Sequence, residues 1–425
     1  MKGQQLFDTR IKPAKLALLR EIFSQSKPAE NFSEFKKQEE KWLEPYVQFK
    51  TLKAKFNYQA WWTWEKSFRE RGPEALAQWC KDAAADMEFE RWLQWQAAIQ
   101  LEESHRQVNR KGVFLMGDLP FLVSRDSADV WANPHFFKLD HSSGAPPDMY
   151  FSGGQVWGMP PHDWDNQEKA GFDYLKQKVA YASRFYDLFR IDHFVGLFRV
   201  WTFKHSPDGQ VQKDTGAFDP PDEKDWESHG RKILDAILES SMLLPCAEDL
   251  GVVPNCSSPV LRDYGIPGME IQRWTRHWEG DGSWKKSEEY RPNSLAAIST
   301  HDMTPLELWW KSEASAGPER TLFNQYLNGN FSEPTFDFIK SALNACLSTE
   351  SIFSIQLFQD WFSLEAPGVM RESDRINLPG WVDDRFWRLL SEYSLEEMNH
   401  LRSKEVIHSL ITENNRVIEV NKIVS

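Results

Sequence analysis

Hydrophobic and polar positions change rhythm once along this 425-residue chain. In the first 110 residues apolar side chains recur three and four apart. Leu16, Leu19, Ile22 and Phe23 form one such set, and Trp42, Leu43, Tyr46 and Phe49 another. That spacing puts them on one face of a helix, with the intervening lysines on the wet face. Residues 74–108 read as one more long helix, with Leu76, Trp79, Ala83, Met87, Trp92, Trp95 and Ile99 toward a core. No strand is predicted here. From residue 112 the rhythm becomes short apolar runs that end in an acid: 113–118, 188–192, 242–248, 295–302 and 352–360, with a further short strand at 268–271. Helix-like segments, among them 170–186 and 230–240, lie between them. Strand–helix alternation predicts a parallel sheet with right-handed crossovers. Polar residues at strand ends mark the carboxyl edge, where α/β enzymes build their sites. Acids delivered by many strands to one rim favour a (β/α)8 barrel over an open doubly wound sheet, although about six strands are predicted rather than eight.

Composition narrows the function classes. Hydrophobic residues are 41% and charged residues 27%, as in a soluble globular protein. Lys+Arg is 50 against Asp+Glu 63, a net charge of −13, which speaks against nucleic-acid binding. Residues 1–60 are locally basic, with 12 Lys+Arg against 7 Asp+Glu, but these cations fit the solvated faces of the helices. No run approaches the roughly 18 apolar residues of a membrane span, and Met1–Gln5 has no apolar signal core, so a cytoplasmic location is expected. Cys80, Cys246, Cys256 and Cys346 show no C-x-x-C spacing and read as reduced thiols, Cys246 as a small core residue. The 20 tryptophans fit either a Trp-rich core or faces that stack on sugar rings. There is no G-x-G-x-x-G, Walker A or G-x-S-x-G pattern. His162-Asp163-Trp164-Asp165 lacks the glycine and distal Glu of a calcium loop and reads as a polar loop, so no metal site is expected.

The chemistry rests on three acids. Arg190 and Asp192 stand two apart on a predicted strand and share a face, so the cation favours the ionised carboxylate, as a nucleophile requires. A plain ion pair closing the strand is the alternative. Glu248 and Asp249 face opposite ways at the next strand end. Glu248 has the reach of a general acid, whereas Asp249 can serve as a helix N-cap. His301-Asp302 can hold substrate hydroxyls and stabilise positive charge, or can be a capping Asp beside a core His. Asp192, Glu248 and Asp302 are 56 and 54 residues apart, each at the end of an apolar run. A retaining glycosidase needs such a nucleophile and acid/base, about 5–5.5 Å apart, and a third acid can stabilise the oxocarbenium-like transition state.

Gly117-Asp118-Leu119-Pro120, residues 126–134, Gly144-Ala145-Pro146-Pro147-Asp148 and Gly154-Gln155-Val156-Trp157-Gly158 resemble the 4-α-glucanotransferase family (amylomaltase, disproportionating enzyme; glycoside hydrolase family 77). So do Arg190-Ile191-Asp192-His193-Phe194, Glu248-Asp249-Leu250-Gly251, Thr300-His301-Asp302 and Arg375-Ile376-Asn377-Leu378-Pro379-Gly380. The resemblance implies an α-amylase-like (β/α)8 TIM barrel with helical insertions, and no metal or organic cofactor. It makes Asp192 the nucleophile, Glu248 the acid/base and Asp302 the transition-state stabiliser. Arg190, His301, Asp118, Trp157, Gln155 and His193 fall to substrate binding or support of the acids. The implied activity is transfer of α-1,4-glucan segments, or glucose, between maltooligosaccharides by double displacement through a covalent glycosyl-Asp intermediate. The alternatives are an α-glucan hydrolase and a non-catalytic glucan-binding remnant. Val195 stands where many members have Arg, and Met303 where many have Asn, which leaves acceptor preference open. Members begin with two barrel strands and a Gly/Pro/Ser-Pro-Tyr-rich substrate loop, and nothing here resembles either. The expected organisation is therefore a helical insertion at 1–110, barrel strands 3–7 at 111–302, a helical insertion at 303–350, and the last strand with C-terminal helices at 351–425. The first two barrel strands are expected to be lacking, or to come from a separate chain.

Overall fold

A computed structural model describes residues 6–26, 29–147 and 152–416. Asp148, in one of the motifs above, lies outside them. The chain splits into two compact units, Thr9–Leu244 with Val252–Ser257 and, in the second, residues 6–8, 245–251 and 258–416.

The first unit opens with the expected helices, Ile11–Gln25, Glu30–Gln38 and Glu40–Lys55. The single helix predicted over 74–108 is two, Pro73–Asp82 and Ala84–Asn109. Proline at the first helical turn suits the start of Pro73–Asp82, and Ala83, at φ −103° and ψ 17°, breaks the continuity. Phe32, Leu43, Val47, Met87, Trp92 and Trp95 bury one face of this bundle. Leu19 and Phe23 lie half-buried against it, whereas Leu16 and Ile22 stay exposed. A second cluster joins Phe49, Leu52, Trp64 and Trp131, and the Trp131 indole N–H donates to the Phe68 carbonyl at 3.0 Å. These tryptophans are core residues.

Strands β1 (Met116–Leu119), β2 (His141–Ala145), β3 (Gln155–Val156), β4 (Leu188–Ile191), β5 (Val200–Lys204) and β6 (Ala217–Asp219) follow. β1 and β4 are parallel, with Asp118 directly opposite Arg190. The antiparallel sheet β3-β2-β5-β6 was not predicted. β2 reads His-Ser-Ser-Gly-Ala, without the β-branched alternation that betrays a strand. The helices predicted at 170–186 and 230–240 are Asp173–Ala182 and Glu223–Glu239.

The chain passes into the second unit along β7 (Leu244–Ala247), and β8 (Gly268–Ile271), β9 (Ser294–Ala297) and β10 (Phe353–Ser354) follow. The last three form a parallel sheet in the order β10-β9-β8. Trp310, Phe323, Phe338, Leu343 and Tyr290 make its core. The run predicted as a strand over 352–360 is a strand only at Phe353–Ser354. Asp360 lies fully buried in helix Phe358–Phe362, where its carboxylate accepts from Ser299 Oγ (2.9 Å) and Leu306 N–H (3.2 Å) instead of ending a strand. Among the described residues no helix is long and apolar enough to cross a membrane.

Candidate active site

In the first unit the β1–β4 register brings Asp118, Arg190 and Asp192 together. Arg190 donates from Nε and Nη2 to the two Asp118 oxygens (3.0 and 2.9 Å), and from Nη2 to Asp192 Oδ1 (2.9 Å). The guanidinium side chain is 11% exposed and the Asp192 carboxylate 36%. A rigid, shielded cation thus orients a carboxylate that still has an open side. The ammonium of Lys178, on helix Asp173–Ala182, donates to the Pro120 carbonyl at 3.1 Å; burial pulls its pKa down, while Asp129 and Asp192 push it up.

His193 follows Asp192 in the left-handed region at φ 46°, uncommon for a residue with a Cβ and typical of constrained sites. Its ring meets the Trp157 ring edge-on at 4.9 Å, and Trp157 Nε1–H donates to Gln155 Oε1 at 3.1 Å. Burial holds the His193 imidazole down to about 4, so it is neutral near pH 7. Gln155, Trp157 and His193, named from sequence, therefore form one cluster. His162 is no part of a polar loop, as the sequence suggested. It is buried, with Nε2 2.7 Å from the Phe121 carbonyl and Nδ1 2.8 Å from Gln167 Nε2, while Asp163 caps helix Trp164–Lys169. No group of acids, histidines and cysteines among the described residues could hold a metal.

In the second unit Glu248 comes directly after β7. Its neighbour Asp249 is not a helix cap. The carboxylate accepts from Met269 N–H and from Arg291 Nη1, both at 2.7 Å. Asp302 lies beyond β9. Its Oδ1 accepts from Asn377 Nδ2 at 2.7 Å, and His301 Nε2 stands 3.3 Å from Oδ2. Arg375 donates to the Asp302 carbonyl (3.1 Å), to Thr304 Oγ1 (3.0 Å) and to the Asn377 carbonyl (2.8 Å). The Trp387 ring sits 5.2 Å from that of His301, on a backbone at φ 61°. Asn377, Arg375 and Trp387 escaped the sequence reading as site residues. The first two lay inside the recognised 375–380 segment, and that was their only signal.

The 4-alpha-glucanotransferase family, glycoside hydrolase family 77, matches residues 5–393. The chain is 33% identical over 412 residues to a 4-alpha-glucanotransferase of Chlamydia muridarum, covering 94% of this chain and 76% of that protein. It is 35% identical over 399 residues to one from Chlamydia caviae, covering 92% and 73%. Among solved structures, the amylomaltase of Streptococcus agalactiae in complex with acarbose matches with a TM-score of 0.82 and 25% identity, over 97% of this chain and 81% of that one. The amylomaltase of Corynebacterium glutamicum matches with a TM-score of 0.74 and 21% identity, over 94% and 58%. The protein is thus an α/β enzyme of amylomaltase fold. It belongs to the 4-alpha-glucanotransferase family.

Proposed function

We propose that this enzyme transfers α-1,4-glucan segments between maltooligosaccharides by a retaining double displacement. The observation that carries this reading is Arg190, held between Asp118 and Asp192 within a chain of this family. Asp192 attacks the anomeric carbon while Glu248 protonates the departing glycosidic oxygen, which leaves a glycosyl ester on Asp192. An acceptor hydroxyl then gives its proton to Glu248 and displaces the carboxylate, so configuration is retained and both acids are regenerated. Asp302 stabilises the oxocarbenium-like charge between these steps. Asn377 and Arg375 support that role by fixing its carboxylate and backbone. Trp157, Gln155, His193 and His301 contribute sugar-facing surface.

The test is incubation with maltotriose and chromatography of the products. Glucose with a ladder of longer oligosaccharides supports transfer; glucose and maltose alone indicate a hydrolase. Absence of turnover sinks the proposal.

A further inference from the structure

Glu248 has a neighbour whose surroundings are unusually well determined. Asp249 is 4% exposed in its side chain, yet carries a carboxylate. Burial raises its pKa, and the Arg291 guanidinium opposes that rise. Oδ1 accepts from Met269 N–H at 2.7 Å, and Oδ2 takes Arg291 Nη1 at 2.7 Å. Arg291 also donates from Nη2 to the Met269 carbonyl (3.0 Å) and from Nε to Glu270 Oε1 (2.5 Å). The second Glu270 oxygen accepts from Thr275 Oγ1 at 3.1 Å. One guanidinium therefore ties the residue after Glu248 to two consecutive residues of β8.

Two further features show that this is a built arrangement. The backbone bond from Ala247 N–H to the Pro267 carbonyl (2.8 Å) joins β7 to the start of β8, and the Asp249 carboxylate then takes the next position, as acceptor for Met269 N–H. At Gly268 a Cβ would lie 2.6 and 2.7 Å from the Asp249 oxygens and 2.9 Å from Arg291 Nη1, so the approach requires glycine there. Glu248 thus stands between Ala247 and Asp249, both of which are held to β8 and the residue before it, and this limits where its side chain can point.

We propose that Asp249 and Arg291 are a positioning pair that aims Glu248 at the departing glycosidic oxygen. This rests on the assignment of Glu248 as the acid/base. Loss of aim costs most where protonation is needed most, that is, with a sugar leaving group. Fluoride departs with little help from an acid.

The experiment compares maltotriose with α-maltosyl fluoride as donors for the parent, Glu248→Gln, Asp249→Asn, Arg291→Met and Arg291→Lys, in whichever form of the protein turns over maltotriose, with melting temperatures alongside. General acid help is worth about 10²–10⁴-fold and misplacement by about 1 Å on the order of 10²-fold. Arg291→Met and Asp249→Asn should therefore lose at least about tenfold more rate on maltotriose than on the fluoride, with Arg291→Lys in between. Equal losses on both donors, or no loss, overturn the positioning role. Should Asp249→Asn fail to fold, the half-exposed Arg291 variants decide alone. If Glu248→Gln itself shows no maltotriose-selective loss, the acid/base assignment falls and this inference with it.

Discussion

Asp192 and Asp302 are both proposed to act on the same developing positive charge, but their units support them differently. Asp192 accepts from a full cation, Arg190, which is shared with a second carboxylate, Asp118. Asp302 is held at one oxygen by the neutral amide of Asn377 and faces the imidazole of His301 at the other. The difference suits the two roles. A nucleophile must be ionised and aimed, then lose its charge on forming the ester, and an arginine already paired with Asp118 tolerates that loss. A stabiliser must keep its charge throughout, and an amide donor orients it without neutralising it.

The contrast can be attacked in order of expected effect. Asp192→Asn should lower turnover of maltotriose on the order of 10⁴-fold, because the covalent step disappears, with a melting temperature within a few degrees of the parent. A small loss of turnover with a large loss of melting temperature would make Asp192 a structural ion-pair partner.

The next effect is on stability and belongs to the unit that holds Asp192. Burial keeps the His162 imidazole at about 4, below its ordinary 6.5, with both ring nitrogens engaged by Phe121 and Gln167. The unfolded chain accepts a proton near pH 6.5 that the folded protein refuses. The stability owed to His162 is then complete above that pH and falls by up to about 3 kcal/mol as pH drops toward 4, and His193, held equally low, adds to the fall in the same direction. Urea unfolding between pH 7 and 4.5 measures this, and a flat profile would contradict the buried neutral histidine.

Arg190→Lys keeps the charge but forfeits the fork that reaches both carboxylates, and should cost on the order of 10²-fold in kcat. A lysine variant close to parental activity would show that charge alone suffices beside Asp192. The smallest expected loss is at Asn377→Ala, roughly tenfold in kcat with KM little changed, from one hydrogen bond to a charged group. If Asn377→Ala costs more than Arg190→Lys, the ranking of the two supports is reversed.

Much of this site was readable before any tertiary structure. Arg190 and Asp192 share a face because strand side chains alternate, and the 2.9 Å contact between them follows from that period. The early helices were readable too, because 3.6-residue periodicity is a local property, although Ala83 divides one of them. Asp249 was misread as a cap. Its partner Arg291 is 42 residues away, so nothing in the surrounding sequence announces the pair. Asn377, 75 residues from Asp302, is the same kind of case. The antiparallel sheet went unseen because β2 is built of small polar residues and held by pairing with β3 and β5 rather than by its own propensity.

The sequence by itself determined where the early helices and the parallel strands lie, that Asp192 and Glu248 directly follow two of those strands, and the family to which the order of these motifs belongs. These follow from periodicity and from motifs a few residues long. The tertiary structure decided which partner each acid receives: Asp118 across a parallel register, Asn377 and Arg375 from a distant segment, Arg291 over β8. Hydrogen bonds of about 3 Å between residues tens of positions apart exist only after the backbone has closed the intervening loops, and no local pattern encodes that closure.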